Sequence, residues 1–472
     1  MNDNEICFMS AVEMKEKIRT RELSCQKITE TIINRIEKIN PEINAYCTPT
    51  FEIAREKAIE ADKAIRKEEN LGLLHGIPTS IKDLMQTEGI RTTFGFKPYE
   101  NNIPEKNEVA VQRLYDEGIV MLGKTNTPAF GHMAVTDNMV FGKTYNPWNR
   151  KRTAGGSSGG AGAAVASGMG PLALGSDGGG SIRIPAAFNG IFGLKPTFGR
   201  IPRDLHGHIG WITLDHYGSL TRNVEDAALM LDALAGPDSI DRFCIPKPKM
   251  SYLDSLNENP SKLKIGYSLK LGFVKALDPE LKEMVIKAAK KFEEADLEVE
   301  EAKLRIKKPE LAFNTLVTSG FAYDLNSFMN DEEKIDESLL KMIKAGSTYS
   351  ATDVKRAEYQ REKIYASIAE YFNKYDLLIT PTTAVPPFDL GIMYPPKIAG
   401  KAVSPVAWMS FTYPFNLTGH PAASIPCGFT SDKTPVGMQI IGRMFDETSV
   451  LQASKLFQDI QPWQDKKPEF DL

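Results

Sequence analysis

Between Thr153 and Lys195 glycine and serine cluster twice, at Gly155–Gly162 and again at Gly175–Ser181, with small apolar residues between the two clusters. A flexible linker has no use for a run such as Ala163-Ala164-Val165-Ala166, nor for the Ile182-Arg183-Ile184-Pro185 and Phe188–Leu194 that follow. The pattern predicts two tight backbone turns bracketing a buried helix and strand. Each turn presents a serine where glycine lets the main chain come close.

The flanking sequence alternates helical and strand patterns. Ser10-Ala-Val-Glu13 is a capping-box pattern, and Ser24 caps a helix whose Ile28, Ile32, Ile33, Ile36 and Ile39 recur at helical spacing until Asn40-Pro41 ends it. Phe51–Lys67 is an amphipathic helix, and Leu71–Lys82 is an apolar approach to a short buried strand that ends at Lys82. Helix 108–117 stops at Gly118, Ile119–Leu122 has the composition of a buried strand, and Val224–Leu234 is again helical. After a proline-rich connection, strands are predicted at Leu263–Tyr267, Asp376–Thr380 and Met438–Ile441, with a helix opened by Asp278-Pro279 and another over about 353–374. Pro381–Pro405 is expected to form loops over a cleft. The alternation predicts an α/β sheet core. It divides into an N-terminal helical region (1–70), a central core (71–236), a connecting segment (237–262) and the remainder of the same α/β unit (263–472).

A net charge of −4 leaves no basic surface for nucleic acid. The first residues carry acids where a signal peptide would be basic, and no later stretch reaches the roughly 18 apolar residues a membrane span requires. Cys7, Cys25, Cys47, Cys244 and Cys427 show no C-x-x-C and no spacing typical of zinc. The expectation is a reduced, cytoplasmic protein with no metal or other cofactor and no nucleic-acid or membrane partner; a homodimer is left open.

Three motifs compete for the chemistry. Gly118–Thr125 matches the phosphate-loop pattern G-x-x-x-x-G-K-[ST] letter for letter, with Gly123, Lys124 and Thr125 at its end. That loop needs a strand before its first glycine and a helix after its lysine. Here a helix precedes, the interior is strand-like and Asn126-Thr127-Pro128 follows, so the context argues against nucleotide binding. Gly155-Gly-Ser157-Ser-Gly159 fits the elbow of Ser/His/Asp hydrolases, for which His206, His208, His216 or His420 would be recruited. The third arrangement is a serine in a glycine turn activated by an unprotonated lysine, directly or through a second hydroxyl. Lys82 has the setting for it, because burial disfavours the ammonium form; a lysine merely paired with Asp83 or Asp177 is the structural alternative.

The run GIPTSIKD around Lys82, AGGSSGGAGAAVASG, and GSDGGGSIRIPAAFNGIFGLKPT together resemble the amidase signature family. NPW at Asn146–Trp148, LDHYGSLTRNVEDAALML at Leu214–Leu231 and FTYPFNLTGHPAASIP extend the similarity over nearly the whole chain. The resemblance implies one large α/β fold, a mixed β-sheet core covered by helices on both sides. It also implies hydrolysis of a small carboxylic amide to an acid and ammonia or amine through an acyl-serine intermediate. Residue by residue, it makes Ser181 the nucleophile, Ser157 the bridging serine after a cis peptide, and Lys82 the base; the separations of 24 residues (157 to 181) and 75 residues (82 to 157) agree with the family's. It sets the backbone N–H groups of Gly178, Gly179, Gly180 and Ser181 around the oxyanion, with Ser158, Asp177 and Arg183 behind them. Asp177 and Arg183 are expected to brace the two turns as an ion pair.

One branch of that family is the glutaminase subunit of tRNA-dependent amidotransferases, which reads GGSIRQPA after the nucleophile. Here Ile184 follows Arg183, and Trp408-Met409-Ser410 stands where that branch typically has an acidic residue. The chain therefore resembles stand-alone amidases more closely. The segments around 311–323 and 381–408 are expected to shape the substrate pocket.

Overall fold

The computed structural model describes residues 1–472 except 68, 70, 205–209, 259, 261–262 and 471–472. Its strands are β1 (Tyr46–Pro49), β2 (Pro78–Lys82), β3 (Val120–Thr125), β4 (Leu172–Ser176), β5 (Phe192–Lys195), β6 (Tyr217–Thr221), β7 (Lys264–Tyr267), β8 (Glu298–Glu301), β9 (Leu377–Pro381), β10 (Lys397–Ile398), β11 (Lys401–Ala402), β12 (Ala422–Phe429) and β13 (Pro435–Gly442). All but β10 and β11, which pair with each other, form one eleven-stranded sheet in the order β1-β3-β2-β4-β6-β5-β12-β13-β9-β7-β8. It is mixed: β3-β2-β4 run parallel, as do β9-β7-β8, while the pairings between these blocks are antiparallel.

Side chains alternate across this sheet, as the two-residue strand period requires. Met438 and Ile440 of β13 and Leu377 and Ile379 of β9 enter one core, with the helices at Cys25–Ile43, Val224–Leu234, Pro279–Lys290 and Glu447–Ile460. Ile441 and Leu378 enter the opposite core, with the helices at Pro309–Asp324, Glu337–Gly346 and Ala351–Phe372. Both faces are thus covered by helices. The predicted isoleucine stripe is buried, with Ile28, Ile32, Ile33 and Ile39 at 0% exposure, and each such side chain contributes about 1.5–3 kcal/mol. No helix among the described residues is long and apolar enough to cross a membrane.

The structure departs from the sequence pattern in four places. The second long helix runs through Pro41 to Ile43 and ends at Asn44 in the left-handed conformation, whose N–H reaches Asn40 O at 2.7 Å. A proline in the last turn removes only its own N–H, so the helix survives it. Residues 1–70 also hold a strand, β1, which pairs with β3 at the edge of the sheet. β3 extends to Thr125, so the lysine of the glycine-lysine motif stands on a strand. Finally, β12 tolerates Pro426 because its pairing with β13 slips there, between Pro426 and Gly428.

Candidate active site

The two glycine-serine clusters become two turns beside the C-terminal ends of the interior strands β2 and β4. The first leads into the helix Gly159–Ala166, which returns through β4, and the second follows β4 directly and opens the helix Arg183–Asn189. Because β2 and β4 are parallel neighbours, Lys82 at the end of β2 comes to lie beside Ser176 at the end of β4. Lys82 Nζ is 2.6 Å from Ser157 Oγ and donates to Ser176 Oγ at 3.0 Å. The Gly156–Ser157 peptide is cis. Lys82 is fully buried, and burial pulls its amine from the ordinary lysine value down to about 7, against a smaller upward pull from Asp215 and Asp177.

Ser157, Ser176 and Ser181 line one cleft of about 400 Å³ including its open mouth, together with Gly178 and Asp215. Its apolar walls are Leu84, Phe94, Phe130 and Trp211. A Cβ on Gly178 would lie 2.5 Å from the Trp211 ring, and one on Gly179 2.7 Å from Phe313 Cζ, so these two positions must be glycine for the aromatic roof to close on the turn. Gly180 has φ +130. Thr412 Oγ1 donates to Gly179 O at 2.7 Å and so fixes the orientation of the turn's central peptide.

Asp177 and Arg183 are wholly buried and paired, Nη2 to Oδ1 at 2.8 Å and Nε to Oδ2 at 2.9 Å. Arg183 also donates to Thr412 O, Gln439 Oε1 and Asn416 Oδ1 at 3.0, 2.6 and 2.6 Å. Asp177 accepts from the N–H groups of Gly180 and Ile182 at 2.7 and 3.1 Å, and from Asn416 Nδ2 at 2.8 Å. Burial alone would raise the Asp177 carboxyl, but the Arg183 charge and hydrogen bonds, with Lys195 and Asn416, hold it well below the carboxylate range. Ser158 ties the turns together, its Oγ donating to Ser176 O at 3.2 Å and its N–H to Ser181 O at 3.1 Å.

One expected role is corrected here. The Gly180 N–H is committed to Asp177 Oδ1 and cannot serve an oxyanion in the cleft. Among the described residues, the N–H groups of Gly178, Gly179 and Ser181 have no protein acceptor. The competing motifs also separate. Lys124 Nζ turns into the protein onto Met85 O and Thr87 Oγ1, and Lys124 stands on β3 rather than in a loop before a helix. His216 Nδ1 contacts Leu214 O at 2.8 Å and His420 Nδ1 contacts Thr418 Oγ1 at 2.8 Å, neither of them bonded to a serine of the cleft; His206 and His208 lie outside the described residues. Neither segment expected to shape the pocket lines this cleft: Phe313 packs behind it against Gly179, and the apolar walls come from Leu84, Phe94, Phe130 and Trp211, which carried no signal beyond apolarity. Ser176, Thr412, Asn416 and Gln439 were not singled out in the sequence either, although Ser176 directly precedes Asp177 and Thr412 and Asn416 lie inside the FTYPFNLTG run.

Comparison with known proteins matches the Amidase family over residues 27–451. The chain belongs to the amidase signature family. It is an amidase, a hydrolase of carboxylic amide C–N bonds. It is 39% identical to an acylamidase of Rhodococcus erythropolis, over 100% of this chain and 99% of that one. It is also 36% identical to a glutamyl-tRNA(Gln) amidotransferase subunit from a Sulfurihydrogenibium species, over 98% of this chain and all of that one. Among solved structures, a bacterial aryl acylamidase of the amidase signature family superposes with a TM-score of 0.91 at 31% identity, covering 97% of each chain.

Proposed function

We propose that the protein is a stand-alone amidase in which Lys82, Ser157 and Ser181 form a proton relay and Ser181 becomes acylated. The observation that carries the reading is the 2.6 Å contact between the buried Lys82 amine and Ser157 Oγ in a cleft shared with Ser181. Neutral Lys82 takes the Ser157 hydroxyl proton, Ser157 takes the proton of Ser181, and Ser181 Oγ attacks the amide carbonyl carbon. The oxyanion that forms is met by the N–H groups of Gly178, Gly179 and Ser181, which are already free and fixed by the turn. The relay then runs in reverse to protonate the leaving nitrogen as the C–N bond breaks. Water, deprotonated by the same route, releases the acid and restores Ser181.

The described lining of the cleft contains aromatic rings and the Asp215 carboxylate but no lysine or arginine. Such walls suit an aryl or alkyl acyl group and offer no cation to the α-carboxylate of glutamine, which supports a stand-alone amidase over a glutaminase subunit. Both the acylamidase and the aryl acylamidase among its relatives fit this choice. The five cysteines, all unpaired, support a cytoplasmic location.

A fluorophosphonate is expected to label Ser181 of the purified protein without nucleotide or partner, and the same preparation is expected to hydrolyse acyl anilides. No labelling, or labelling of another serine, would overturn the assignment. The pH profile is a second test. The relay needs the uncharged amine, which burial favours with a value of about 7, so kcat/KM should fall about tenfold per pH unit below that point and level off above it. A profile flat from pH 5 to 8 would rule out Lys82 as the base.

A further inference from the structure

The cleft wall at Phe130 and Gly131 is held from behind by a polar cluster, buried at His132 and half-buried at Asp336, that the relay does not use. Phe130 sits at φ 50, a conformation that a bulky side chain keeps only where its surroundings impose it. Next to it, Gly131 faces Ser157 so closely that a Cβ there would be 3.0 Å from Ser157 Oγ. The following residue, His132, has a fully buried side chain whose Nδ1 is 2.7 Å from Ala129 O and whose Nε2 is 2.6 Å from Ser338 Oγ. Ser338 Oγ in turn donates to Asp336 Oδ1, which also accepts the Ser338 N–H at 2.9 Å and lies 3.6 Å from His132 Nε2.

Counting protons fixes the state of this cluster. A carbonyl only accepts, so Nδ1 carries a hydrogen. The two contacts Nε2···Oγ···Oδ1 need two hydrogens, and Ser338 owns one. The cluster therefore holds one proton more than a neutral imidazole and a carboxylate. The Ser338 N–H on Oδ1 keeps Asp336 ionised and leaves that proton on Nε2. In keeping with this, burial alone would raise the Asp336 carboxyl, yet the His132 hydrogen bond and charge, with the two Ser338 groups, hold it well below the carboxylate range. The other charges near the cluster are Asp137 and Lys143, on the same segment as His132; burial raises Asp137, Lys143 opposes that and Asp336 adds to it.

Asp336 and Ser338 belong to the N-terminus of the helix Glu337–Gly346. That helix packs on Pro309–Asp324, whose Phe313 and Phe321 press on Gly179 and Trp211 at the roof of the cleft. The cluster thus ties one wall of the cleft to the helices carrying its roof. We propose that His132, Ser338 and Asp336 form a one-proton latch that sets the width of the amide-binding cleft, with His132 a positioning residue for substrate binding.

The proposal rests on the cleft being the substrate site. Ser338→Ala removes only the bridging oxygen, and His132→Ala removes the imidazole. Each is expected to raise KM for an acyl anilide about tenfold, with kcat within about threefold of the wild type, because the fluorophosphonate-reactive centre is untouched. The double variant should be no worse than either single one. An unchanged KM in Ser338→Ala, or multiplying effects in the double variant, would each overturn the latch. Ser181 labelling in the same samples separates the two ideas: normal labelling with unmoved KM defeats the latch alone, and no labelling of the wild type defeats the site assignment.

Discussion

Replacing Lys82 by Met is expected to lower amide turnover by about 10³-fold or more while leaving the fold intact. The amine is fully buried and kept near neutrality by desolvation, so the uncharged methionine of similar length loses the base but introduces no buried charge. Thermal or denaturant unfolding of the variant at pH 7 should show no loss of stability. The sign follows from linkage: a lysine whose folded value is lowered costs the folded state most below that value, and the cost fades as pH rises towards the ordinary lysine range. The loss of rate should be smaller on an activated ester, whose leaving group departs without the proton that a leaving amine needs. Near wild-type anilide turnover in Lys82→Met would exclude the relay.

The second large effect concerns stability. Arg183→Met should destabilise the protein by about 3–5 kcal/mol, seen as a drop in the denaturant midpoint, because Asp177 is left as a buried carboxylate without its partner. In the wild type the carboxyl is depressed, so the pair's contribution is present above the ordinary carboxylate range and is lost only in strong acid. In the variant burial acts without Arg183 to oppose it and pushes Asp177 up. Its deficit relative to the wild type should therefore shrink as pH falls into the range where Asp177 takes a proton. The double variant Asp177→Asn/Arg183→Met should recover part of the loss at neutral pH. A single variant as stable as the wild type would show that the ion pair does not brace the turns.

Local signals carried much of this molecule. The isoleucine stripe, the helix at Val224–Leu234 and the strand ending at Lys82 follow from periodicity and caps, which depend on neighbours in sequence. The glycine turns were legible from their own local clustering, although what forbids a side chain at positions 178 and 179 is the distant Trp211 and Phe313. The contacts that complete the site were not legible, because sheet order decides them. Ser176 meets Lys82 only through the parallel pairing of β2 with β4, and Gln439 meets Arg183 across 256 residues. The commitment of the Gly180 N–H to Asp177 escaped for a subtler reason. Three consecutive glycines look equivalent on paper, and only the three-dimensional course of the turn decides which N–H points at the carboxylate and which remain free for the cleft.

The hold on Arg183 joins parts of the chain that are made far apart in time. A growing chain leaves the ribosome N-terminus first, and domains fold as their segments emerge. Lys82, Ser157 and Ser181 are outside long before Thr412, Asn416 and Gln439, the three groups that share the Arg183 guanidinium with Asp177. β5 likewise waits for β12 to become its neighbour. Lys82, Ser157 and Ser181 thus precede the groups that hold Arg183 in the order of synthesis, so amide hydrolysis is expected only once the last strands of the sheet are in place.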